Sequence, residues 1–67
     1  MIDEKKLRLK KLIEHWAEHN DEHNFRFVEA AREALDLGLP EAADKLKVAA
    51  KMGKKVSKYL LSARENI

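Results

Sequence analysis

The sequence contains no cysteine, one proline, two glycines and four aromatic residues. Without cysteine there is no disulfide and no thiolate for zinc or for nucleophilic attack, so a metal site would have to be built from His, Asp and Glu. That lack also suits a reducing compartment. The start Met1-Ile2-Asp3-Glu4-Lys5-Lys6 has no apolar core of a signal peptide, and no segment is apolar enough to span a bilayer. The expectation is a soluble, cytoplasmic protein without membrane contact. Neither a phosphate loop nor a pocket of paired carboxylates can be recognised, so an enzyme is not expected. Low Gly and Pro content, no strand-like alternation and a charged fraction of 39% leave long, charge-laced helices as the fold class.

Punctuation is confined to Leu37-Gly38-Leu39-Pro40. Gly38 suits the left-handed residue after a helix end, Leu39 its apolar follower, and Pro40 the first turn of a new helix. Asp3 fits an N-cap, with Glu4 and Glu41 beside the positive ends of the two helix dipoles. One domain over residues 1–67 follows: a helix over about 3–37, a turn at 38–39 and a helix over about 40–65. Asn20, Asp21 and Asn24 are poor helix formers, and a break there would give three helices.

Heptad spacing favours the unbroken alternative. Leu9, Ile13, Trp16, Asn20, His23, Phe27, Ala30 and Ala34 alternate steps of four and three, as do Ala42, Leu46, Ala49, Gly53, Val56, Leu60, Ala63 and Ile67. Folding at Gly38 sets Ala34 near Ala42, Phe27 near Ala49, His23 near Gly53, Trp16 near Leu60 and Leu9 near Ile67. Gly53 is then clearance for a bulky neighbour, His23, and Trp16 and Phe27 are core anchors. Asn20 and His23 would form a buried polar layer. A second stripe, Leu12, His19 and Ala30 with Val48, Met52 and Tyr59, is more than two helices can cover. Short chains without disulfides commonly gain stability from a partner. An antiparallel hairpin dimerising into a four-helix bundle is therefore expected, with a different protein partner as the other option. Trp16, Asn20, Phe27, Met52, Gly53 and Tyr59 are its interface residues.

His15, His19 and His23 recur every fourth residue. Neighbours at that spacing can chelate zinc, nickel or cobalt in pairs, whereas the outer two are about 12 Å apart along the axis. A complete site would need Glu22, another carboxylate or a second chain, and no cofactor is required by the fold. The string His19-Asn20-Asp21-Glu22-His23 also fits the H-x-x-E-H of one zinc peptidase group, yet a hairpin this small offers little cleft for a substrate. Charge is lopsided: residues 14–44 carry nine acids against Arg26 and Arg32, and residues 45–67 carry seven bases against Glu65. Pairs such as Glu29 with Lys47, Glu22 with Lys54 and Glu18 with Lys58 would absorb much of this. Alternatively Lys47, Lys51, Lys54, Lys55 and Lys58 would face an anionic partner, although a net charge of +2 argues against nucleic acid.

Through His15-Trp16-Ala17-Glu18-His19-Asn20-Asp21-Glu22-His23 the chain resembles a family of small helical domains of unknown function from methanogens and other anaerobes. Phe27, Gly38 and the alanine-rich second helix extend the likeness over most of residues 9–63. Some members carry His-rich tails, so the resemblance implies an association with metal handling, though it implies no activity. This chain has no such tail, and Ala30 stands where an aromatic is expected.

Overall fold

The computed structural model describes residues 3–67, so Met1 and Ile2 lie outside the description. Asp3 adopts an extended backbone, and its side chain accepts hydrogen bonds from the amides of Lys5 at 3.0 Å and Lys6 at 3.3 Å. These two bonds satisfy orphan donors of the first turn. The helix they start, α1 (Glu4–Asp36), runs through Asn20, Asp21 and Asn24 without a break. Tertiary packing of that stretch outweighs its poor intrinsic propensity.

Leu37 ends α1, and Gly38 follows with φ of 74°, a conformation that costs a side-chain-bearing residue about 1–2 kcal/mol. The Gly38 amide donates to the Leu35 carbonyl at 3.0 Å and the Leu39 amide to the Ala34 carbonyl at 2.8 Å, which is the paired bonding of a Schellman end. Pro40 then opens α2 (Pro40–Glu65), where its missing N–H is not needed. The two helices pack antiparallel into a rod of 58 × 14 × 9 Å.

The line of closest contact is made largely of small residues. On α1 it runs Ile13, Ala17, Asn20, Asn24, Phe27, Ala31 and Ala34; on α2 it runs Ala43, Leu46, Ala50, Gly53, Ser57, Leu60 and Arg64. Both rows keep heptad steps, and the register lies within a residue of expectation, with Asn24 rather than His23 against Gly53. Ile13, Asn20, Phe27, Ala34, Leu46, Gly53 and Leu60 fall on the seam as expected. Leu9, Trp16 and Val56 do not: all are about half exposed, and the next residue along, Lys10, Ala17 or Ser57, turns inward in their place. Ala63 likewise yields to Arg64. Each helix is thus rotated by about half a residue step, about 50°, toward side chains small enough to let the backbones approach.

Candidate functional site

Midway along the seam the polar layer is present with different members. The Asn20 carboxamide donates from Nδ2 to the Gly53 carbonyl at 2.7 Å and to Ser57 Oγ at 2.8 Å. Ser57 in turn donates to the Asp21 carboxylate at 2.5 Å. Asn24, only 5% exposed, lies one turn further on with neither carboxamide atom hydrogen-bonded within the chain. A methyl group placed on Gly53 would overlap that carboxamide, so glycine here is a matter of space. His23, expected in this layer, is exposed.

Each seam residue has a neighbour one position earlier in the chain. On α1 these neighbours are Leu12, Trp16, His19, His23, Arg26, Ala30 and Glu33, with Leu9 before half-buried Lys10; on α2 they are Ala42, Lys45, Ala49, Met52, Val56, Tyr59 and Ala63. In an antiparallel pair, reversing one helix also reverses the sense in which its residues turn, so the two preceding rows lie on one side of the hairpin. From Leu9 to His23 on α1 and from Ala49 to Ala63 on α2 that side is an apolar flank, with Arg26, Glu33 and Lys45 toward the Gly38 end. Trp16 is 48% exposed and Tyr59 72%, while Met52, Val56, Tyr59 and Leu60 line a shallow apolar groove with Lys55 at its rim. Trp16, expected as an anchor inside the hairpin, belongs to this flank. Of the expected interface residues, Trp16, Met52 and Tyr59 share the flank, half-buried Phe27 borders it, and Asn20 and Gly53 are occupied within the hairpin.

The histidines form a ladder on α1. Ring centroids of His15 and His19 are 6.1 Å apart, those of His19 and His23 4.7 Å, and those of His23 and Phe27 6.5 Å. No three His, Asp or Glu side chains among the described residues gather into a group able to hold a metal ion. Glu22 lines a surface hollow with Asp21, Phe25, Arg26 and Glu29. Within one chain, the helix therefore supplies imidazole pairs.

The opposite flank carries the residues that follow the seam, including Glu14, Glu18, Asp21, Phe25 and Val28 on α1 and Lys47, Lys51, Lys54, Lys58 and Leu61 on α2. Lys55 stands apart from the other four lysines, at the rim of the apolar groove. The expected pairing of α1 glutamates with these lysines is not made. Among the described residues the ion pairs are Arg64 with Glu14 at 3.4 Å and Arg64 with Glu65 at 2.9 Å. The hydrogen bond that Arg64 donates to Glu65, with smaller help from Glu14, raises the guanidinium pKa above its ordinary value. Long exposed lysine stems lose side-chain entropy on pairing and gain little in water, and all five stay exposed.

A small helical hairpin with a polar lock in its seam and an unpartnered apolar flank is the class of protein that this arrangement defines. The chain belongs to the family described as a domain of unknown function (DUF8180), whose model matches residues 9–67. An uncharacterized protein of the archaeon Archaeoglobus fulgidus is 41% identical over 56 residues, covering 84% of this chain and 89% of the relative. No solved structure matches the chain. Neither comparison assigns an activity. No helix among the described residues is long and apolar enough to cross a membrane.

Proposed function

We propose that the protein is a non-enzymatic association module that acts as a homodimer, two hairpins closing flank to flank into a four-helix bundle. The observation that carries this reading is the row Leu9, Leu12, Trp16, Met52, Val56 and Tyr59, all large, apolar and about half exposed or more, beside a seam that fully buries no large side chain. The chain exposes 5782 Å². A compact monomer of 7.8 kDa exposes about 4,400 Å², so the hairpin carries about 1,400 Å² more than its mass requires. A standard interface takes about 800 Å² from each partner, well within that excess.

A second copy suits this flank better than a charged partner does. From Leu9 to His23 and from Ala49 to Ala63 the two rows contain no charged Asp, Glu, Lys or Arg, so this stretch of the closed contact brings no like charges together, while Arg26, Glu33 and Lys45 lie toward the Gly38 end. Such self-complementarity is what a twofold contact demands. Sedimentation equilibrium at micromolar concentration is expected to give twice the 7.8 kDa chain mass. Val56→Glu with Tyr59→Glu should return the monomer, whereas Lys54→Glu with Lys58→Glu on the opposite flank should leave the dimer intact. A wild-type chain that sediments as a monomer would overturn the reading.

A further inference from the structure

We infer that the dimer carries a transition-metal site of four imidazoles, His19 and His23 from each copy; the inference rests on the homodimer reading above. His19 and His23 occupy the α1 row of the flank between Trp16 and Arg26. Closing the flank takes their rings out of water, and none of the side-chain hydrogen bonds among the described residues involves a histidine. Buried ring nitrogens need partners, and the chain itself provides none.

Geometry favours a metal as that partner. The His19 and His23 rings stand 4.7 Å apart by centroid and tilt by 31°, so modest side-chain rotation directs one nitrogen of each toward a single ion. Among the described residues no third donor joins the pair, so the site is incomplete without the second copy. The α1 row runs from Leu9 through Arg26 to Ala30 with His19 at its middle. A twofold axis lying between the flanks, along the helices or across them through that middle, brings the partner's pair to the same level. Four neutral imidazoles on two facing pairs provide the tetrahedral nitrogen set that suits zinc and cobalt. Glu22, one turn beyond His19, is the carboxylate placed to offset part of the ion's charge from outside the ligand set. His15 lies a further step round the helix and is outside the site.

The test uses the full chain with zinc and with cobalt, followed by titration calorimetry, visible absorption and sedimentation on the same samples. Uptake of one ion per two chains is expected, with the intense visible bands of tetrahedral cobalt. His19→Ala and His23→Ala should each abolish those bands while remaining dimeric, and His15→Ala should bind as the wild type does. A dimer that takes up neither ion, binds one ion per chain, or binds equally well after both histidines are replaced sinks the site and spares the association reading. A chain that is monomeric with and without metal sinks both.

Discussion

Away from Ile13, Phe27, Leu46 and Leu60, the seam takes small side chains and the flank most of the large ones. Ala17, Ala31, Ala34, Ala43, Ala50, Gly53 and Ser57 are buried between the helices, while Trp16, Met52, Val56 and Tyr59 stand beside them, half exposed or more. Burial is worth about 0.8 kcal/mol per CH₂, so a seam of this kind gains little from apolar transfer and draws on close backbone contact and on the Asn20–Ser57–Asp21 bonds. Larger gains remain available on the flank, and only another surface can realise them. The difference teaches that one set of heptad positions sets the hairpin's register and leaves its neighbour, the surface of the proposed dimer, open.

The comparison breaks most severely at Gly53. Gly53→Val drives a branched side chain into the Asn24 carboxamide and is expected to cost about 3 kcal/mol, at the upper end of overpacking penalties. In a domain of this size that lowers the melting midpoint by roughly 12–24 °C. Gly53→Ala tests the same contact more gently, because about 1 kcal/mol of gained helix propensity works against the overlap. Combining it with Asn24→Ala removes the obstructing group. The double variant should be more stable than Gly53→Ala alone, with a coupling of at least about 0.5 kcal/mol in a double-mutant cycle. Purely additive losses would show that Gly53 serves something other than clearance.

Changes on the flank should behave differently, because their effect depends on concentration. Met52→Ala with Tyr59→Ser removes side chains already half exposed or more. In dilute solution, where the chain is monomeric, the pair is expected to cost under about 1 kcal/mol. At high concentration the wild-type midpoint should climb with protein concentration and that of the variant should stay flat, since association stabilises by mass action. Calorimetry over a hundredfold concentration range checks this. A wild-type midpoint that ignores concentration would remove the distinction between the two surfaces.

Much of this was readable from residue spacing, and the misreading was one of rotation. Asp3, Gly38 and Pro40 act through local backbone chemistry, so cap, turn and helix start were visible without tertiary information. Unbroken α1 followed from heptads that carry across Asn20 and Asn24 in spite of their propensities. Hydrophobicity placed Trp16 and Val56 on the seam because it ranks them above Ala17 and Ser57, yet hairpin packing rewards close approach. The available clue was the run Ala43, Ala50, Gly53 and Ser57, small residues at heptad steps facing Ala17, Asn24 and Ala31. Asn24 stands against Gly53 where spacing points to His23, its neighbour in sequence. The histidine ladder was visible as a period of four, whereas its place on the flank could not be fixed until the seam was.

Within the seam, the finest distinction is between its two asparagines. Asn20→Ala deletes two donors that meet the Gly53 carbonyl and Ser57 Oγ, and leaves Ser57 with Asp21 as its short partner. A loss of about 1–2 kcal/mol is expected, the usual cost of removing partly buried hydrogen bonds. Asn24→Ala deletes a buried carboxamide that has no partner in the chain. It relieves a desolvated polar group and improves helix propensity, and these gains offset the space it leaves. Its stability should fall within about 0.5 kcal/mol of the wild type. Urea unfolding of both variants at one protein concentration decides the matter through the difference in midpoints at equal slope. Equal losses would mean that both asparagines act only as spacers, and that register comes from the alanines and Gly53 instead of from the polar lock.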